Sequence, residues 1–140
     1  MKRKSSAIWN GDLKTGKGSI TTESSTLSNA QYSFLTRFEN GVGTNPEELI
    51  AAAHAGCFTM ALTAQLGATG VKPEKIETLA TVTLDKLDLG WTVTEVFLDV
   101  KAKVPGVDPA SFEKAAKEAK AGCAISRLLN TKISMNAVLV

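Results

Sequence analysis

Residues 44–62 read TNPEELIAAAHAGCFTMAL. Asn45 supplies a helix N-cap, Pro46 suits the first helical position because its missing N–H would have no partner there, and Glu48 stands where a capping box wants a carboxylate. From Leu49 to Leu66 the pattern is apolar nearly all round, and Gly67 and Gly70 mark its end. The reading is a long helix that must be covered on every side. Its small residues Ala51, Ala52, Ala53, Ala55 and Gly56 allow close approach of another backbone, so a helix-on-helix contact is expected here. The same run carries a thiol, Cys57, whose one possible companion is Cys123.

Working outward, the N-terminal forty residues read as short strands: Ala7 to Trp9, a turn at Asn10-Gly11, a segment around Ser19 to Thr22, and a more apolar one through Tyr32, Phe34 and Phe38. Beyond the helix the period changes to two. Ala80, Val82 and Leu84 alternate with threonines, and after Asp88-Leu89-Gly90 a second run alternates Val96, Leu98, Val100, Ala102 and Val104, which predicts a hairpin with one buried face. Asp108-Pro109 opens a second helix, with Phe112, Ala115, Ala116 and Ala119 opposite Lys114, Lys117 and Lys120, and Cys123 falls at or just past its end. Ile133, Met135, Ala137 and Leu139 alternate in a terminal strand. Strands, helix, hairpin, helix and strand in that order imply an α+β fold. With 140 residues, 44% of them apolar, and no repeat or linker, one domain over 1–140 is expected.

Composition excludes several functions. Sixteen basic and fourteen acidic residues give a formal charge of +2 with the signs interspersed, so no nucleic-acid partner is expected. The first residues, MKRKSSAIWNGD, carry charge without an apolar run behind it, which is not a secretory signal, and a cytoplasmic location is expected. The stretch from Leu49 to Val71 contains His54, Gln65 and three glycines behind two glutamates, a poor membrane span. Two cysteines without CxxC spacing and a single histidine are too few to hold zinc or an iron–sulfur cluster. In a reducing compartment the cysteines are either inert core residues or a redox pair.

A thiol reacts as thiolate, and an unassisted one is only about 3% ionised at neutral pH. Cys57 therefore needs a cation if it is a nucleophile, and the nearest before the helix is Arg37. Read blandly, Arg37 is a solvated side chain and His54, three residues before Cys57, a hydrogen-bonded core residue. Glu47 complements the helix dipole or orients Arg37. Ten helical residues separate Glu47 from Cys57 by about 15 Å, so one chain cannot bring them together along that helix. A site using both requires a second copy of the helix running in the opposite sense, that is, a two-fold dimer.

TRFE at 36–39, GTNPEELIAAAHAGCF at 43–58, TLDK at 83–86, VPG at 104–106 and KAGC at 120–123 closely resemble the OsmC/Ohr family of thiol peroxidases over nearly the whole chain. His54-Ala55-Gly56 resembles the OsmC branch; the Ohr branch typically has tyrosine at the position of His54. The resemblance implies an OsmC-like fold assembled as an intertwined homodimer, with strands wrapped around two central helices per protomer and two interfacial active sites. It implies that Cys57 is the peroxidatic cysteine, Cys123 the resolving one, Arg37 the active-site arginine and Glu47 its partner. Cys57 would reduce an organic hydroperoxide and become a sulfenic acid, and Cys123 would condense with it. An external dithiol or lipoyl-type reductant would reopen the disulfide, with no metal, haem or flavin cofactor. Phe34 or Phe58 near the thiol would favour alkyl hydroperoxides. Relatives commonly carry proline after the resolving cysteine, where this chain has Ala124; the disulfide is still expected to form. The alternatives are a dimeric binder of small apolar molecules, with no need for a cation beside a core thiol, and a redox sensor, for which no docking element is evident.

Overall fold

The computed structural model describes residues 1–140 and resolves two compact units, Met1–Leu49 and Ile50–Val140. In the first, β1 (Ser5–Asn10), β2 (Lys17–Thr22) and β3 (Ala30–Tyr32) form an antiparallel sheet in that order. The apolar segment expected to continue as a strand turns instead into a short helix, α1 (Phe34–Phe38). Ser33 caps it: its hydroxyl accepts from the Thr36 N–H while the Thr36 hydroxyl accepts from the Ser33 N–H at 2.8 Å, a capping box built with threonine rather than glutamate. Five residues are too few for helical periodicity to show in sequence.

The long helix forms where the sequence puts it, α2 (Pro46–Ala68), and it is continuous across the boundary between the units. Asn45 Oδ1 accepts from the Glu48 N–H at 2.8 Å as the N-cap, and Asn45 Nδ2 donates to the Thr36 carbonyl at 3.0 Å, tying the helix start to α1. The helix stops in a Schellman motif. Gly70, at φ +79°, donates to the Gly67 carbonyl and Val71 to the Leu66 carbonyl.

In the second unit, β4 (Lys75–Leu87) and β5 (Gly90–Lys103) make the expected hairpin, and β6 (Lys132–Leu139) pairs with β5 in parallel. The register aligns the period-two residues in rows: Ala80, Leu98 and Met135 in one, Thr78, Val100 and Ala137 in the next. A slip of one residue would turn these rows to solvent, so the apolar pattern itself fixes the pairing. A bulge at Thr83/Leu84 marks where the regular alternation ends. Against the inward face pack α3 (Pro109–Gly122), through Phe112, Ala115, Ala116 and Ala119, and the α2 stripe His54, Phe58, Leu62 and Leu66. A further short helix, α4 (Ala124–Leu128), follows α3 directly.

Within one chain α2 is buried along that single stripe, not all round. Met60 is 75% exposed, and Ala52, Ala53 and Gly56 are open. By length and composition α2 could cross a membrane, but its buried stripe carries a histidine and packs into the core with the sheet.

Two substitutions test this account by urea unfolding followed by circular dichroism. Leu62→Ala leaves a cavity under the sheet and should cost about 2–5 kcal/mol. Gly70→Ala meets no atom within 4 Å, so only the left-handed backbone opposes it and the expected cost is about 1–2 kcal/mol.

Candidate active site

Cys57 lies on α2 one residue before the buried Phe58, so its side chain falls at the edge of the core stripe, half-buried. Cys123 ends α3 and begins α4; the bend between the two helices turns its sulfur inward, where it is buried. The two sulfurs, 66 residues apart in sequence, stand 2.9 Å from one another as free thiols in hydrogen-bond contact.

The turn that presents Cys123 does not need a following proline. Cys123 sits at φ −58°, ψ 126°, the extended conformation that a proline would impose on the residue before it. Ala124 is the first residue of α4, the helical position proline suits, and unlike proline it keeps its N–H.

Electrostatics divides the two thiols. Burial pushes the Cys57 thiol above the ordinary cysteine range, and the Cys123 sulfur adds to the push by hydrogen bonding and by charge; the backbone N–H groups of Ile125 and Ala124 pull the other way without reversing it. Burial also opposes charge on Cys123, yet there it is outweighed by the adjoining Cys57 sulfur and the polar groups of the first turn of α4, so Cys123 is held below the ordinary range. Cys57 lacks the help that a nucleophile needs.

The other two residues singled out from the sequence also meet. Arg37 on α1 grips Glu47 in the first turn of α2: Nη2 donates to Oε1 at 2.7 Å, and Nε lies 3.2 Å from each carboxylate oxygen. The guanidinium carbon stands 5.2 Å from the centre of the Phe38 ring. The clamp fixes the guanidinium plane while leaving it partly open, the Arg37 side chain being 37% exposed and that of Glu47 13%. Beside it a cavity of about 290 Å³ is lined chiefly by Trp9, Leu13, Tyr32, Phe34, Phe38 and Pro46. Phe34 thus lies at this apolar hollow next to Arg37, whereas Phe58 is wholly buried in the core. Each pair is complete within its own unit. No group of three or more His, Cys, Asp or Glu is placed to hold a metal ion.

Sequence reasoning missed Ser126. Its hydroxyl lies 2.7 Å from His54 Nε2, on a residue 72 positions away. No local pattern announces such a contact.

Comparison with known proteins gives a consistent result. The OsmC-like protein family matches over residues 38–137. The chain is 48% identical over 134 residues to Peroxiredoxin OsmC of Escherichia coli, covering 96% of this chain and 94% of that one. It is 28% identical over 100 residues to an organic hydroperoxide resistance protein of Xanthomonas axonopodis, covering 71% and 68%. Among solved structures, the OsmC-like protein of Mycoplasma pneumoniae superposes with a TM-score of 0.79 at 15% identity, over 100% of this chain and 98% of that one. The organic hydroperoxide resistance protein OhrB of Bacillus subtilis gives 0.72 at 22% identity, over 98% of each chain.

Ultraviolet thiolate absorbance, followed against pH, checks the charge assignment. Cys123→Ala removes two of the causes that hold Cys57 high, so the Cys57 titration should move down. Ala124→Pro removes one N–H that favours the Cys57 thiolate and should move it up.

Proposed function

The chain belongs to the OsmC-like family, and on that premise we propose that it is a thiol peroxidase that reduces organic hydroperoxides to alcohols with Cys57 and Cys123 as its redox pair. The observation that carries the reading is the 2.9 Å approach of the two sulfurs. A disulfide needs about 2.05 Å between sulfurs, so closing the bond asks for a shift of less than about an ångström.

Cys57 is the peroxidatic residue. Its thiolate attacks the terminal peroxide oxygen, the O–O bond breaks, and the alkoxide leaves with a proton as alcohol; Cys57 is left as a sulfenic acid. Cys123 attacks that sulfur, expelling water and closing the disulfide. An external dithiol or lipoyl-type reductant reopens it by exchange, so two electrons pass from thiols to peroxide and the cycle uses no metal, haem or flavin. Arg37, oriented by Glu47, is read as the cation that offsets the burial of the Cys57 thiol. The apolar hollow at Phe34, Phe38 and Trp9 supports an alkyl or aryl hydroperoxide over hydrogen peroxide, since it would bury the organic tail.

We further infer an intertwined homodimer of this chain, each copy a single domain. The rise along α2 keeps Glu47 and Cys57 about 15 Å apart in one copy, and a second, oppositely directed α2 relieves that separation. Support comes from the open face of α2, where a side chain at Gly56 would meet nothing within 4 Å. A soluble thiol enzyme of this kind is read as cytoplasmic, where thiol reductants are available.

Thiol counting with mass analysis after one equivalent of cumene hydroperoxide tests the activity. The parent should lose both thiols within one chain, Cys57→Ser neither, and Cys123→Ser should stop at a sulfenic or over-oxidised species. Persistence of both thiols in the parent would end the peroxidase reading and favour the binder of small apolar molecules. Arg37→Leu should slow loss of the Cys57 thiol by about 100-fold or more. Gly56→Leu should convert a sedimenting dimer to monomer, whereas a monomeric parent would dismiss the dimer.

A further inference from the structure

The walls of the cavity beside Arg37 are mostly aromatic. Trp9, Tyr32, Phe34 and Phe38 all line it, and their rings stand in two tilted pairs, Trp9 and Tyr32 with centroids 5.4 Å apart and Phe34 and Phe38 with centroids 4.8 Å apart. Strand register sets the first pair. Trp9 on β1, Gly18 on β2 and Tyr32 on β3 fall in one row across the sheet, so all three share a face, and the glycine between them leaves room for rings from the two outer strands to meet. A Cβ at Gly18 would run into Tyr32 Cε1, and one at Gly16 would stand 2.9 Å from Trp9 Nε1. The indole N–H of Trp9 also donates to the Gly11 carbonyl at 3.0 Å. The second pair comes from the first and last residues of α1, which the Ser33 cap starts. Backbone pairing and capping therefore fix these walls before any guest arrives.

We propose that this cavity selects hydroperoxides whose organic group is a single aromatic ring, and that Trp9 is the residue that sets the preference. The proposal rests on the peroxidase reading and narrows its substrate to the arylalkyl class. Size is the first argument. A cavity of about 150 Å³ takes a benzene ring, so about 290 Å³ takes one substituted ring with the carbon that bears the peroxide, whereas a long unbranched tail would overrun it. Chemistry is the second. Tilted rings offer a guest both faces and edges, and an aromatic guest gains about 2–10-fold in affinity from them beyond what its buried area gives. A saturated ring of the same outline buries comparable apolar area, so preference between the two isolates the aromatic contact. Arg37 is the one charged side chain on the wall, and its Nη1 takes no part in the grip of Nε and Nη2 on Glu47, which leaves a donor for the oxygen end of the guest.

The first measurement needs no peroxide. With Trp91→Phe, Trp9 is the only tryptophan left, and its fluorescence is followed during titration with 2-phenyl-2-propanol, the alcohol formed from cumene hydroperoxide, and with 2-cyclohexyl-2-propanol. The aryl alcohol should perturb the emission with a dissociation constant about 2–10-fold lower than that of the saturated one. The second measurement compares kcat/KM for cumene hydroperoxide and its ring-saturated counterpart in the parent chain. The ratio should favour cumene hydroperoxide by a similar factor, fall toward one in Trp9→Leu and in Tyr32→Leu, and return in Trp9→Phe, which keeps a ring. A merely structural role would depress both substrates together and leave the ratio where it was. Equal affinity for the two alcohols overturns the proposal. So does a parent ratio of one, or a ratio that neither leucine variant lowers. Preferential binding of the aryl alcohol by a parent inert to both hydroperoxides would instead remove the peroxidase reading and leave the aryl cavity standing.

Discussion

The packing of the α2 stripe against the sheet governs the placement of the sulfurs. His54, Phe58, Leu62 and Leu66 recur every four residues and are buried, the last three in one core with Val96, Leu98 and Val100. Once Phe58 is committed to the core, Cys57 is carried to the flank of the stripe. Cys123 arrives from the other direction: the Phe112, Ala115, Ala116 and Ala119 face of α3 seats that helix, and the bend into α4 drops the next residue inward. The thiol contact is thus the residue of two independent apolar fits, each worth far more than the contact itself.

The same packing explains why chemistry needs more than proximity. A core that brings two sulfurs together also strips water from them, and desolvation resists the charge that a nucleophile must carry. The two thiols feel this unequally, Cys57 being pushed above the ordinary cysteine range and Cys123 held below it. On the other unit, Arg37 is held rigid by the Glu47 carboxylate. A guanidinium stays charged under all ordinary conditions and its plane is fixed by two points of attachment to Glu47.

Much of this was legible in the residues. The start of α2 follows from Asn45-Pro46, and the hairpin from the period of two through Ala80, Val82, Val96 and Leu98, because both signals are local and repeat over many residues. Cys57, Cys123, Arg37 and Glu47 could be singled out, and Arg37 meets Glu47 as one of the two readings of that glutamate supposed. What could not be read was short or distant. α1 replaces the end of an expected strand because a Ser33–Thr36 box starts a five-residue helix, too brief to show a period. Nothing near Ser126 hints that its hydroxyl faces His54, since that contact is produced by the packing of α2 with the segment after α3. The cover expected all round α2 is found along one stripe only, because a sequence can state that a surface is apolar without naming what lies against it.

The short path between the sulfurs also bears on what the protein could tell the rest of a cell. A redox sensor must look different when oxidised: a helix unwinds, a loop is released, a surface is exposed. Here the reduced thiols already stand where the disulfide would hold them, on a helix and a helix junction seated in the core. Oxidation would therefore leave the outer surface almost unaltered, and a binding partner would have little by which to distinguish the two states. The geometry suits a device that returns to its starting shape after every turnover and keeps no record of it.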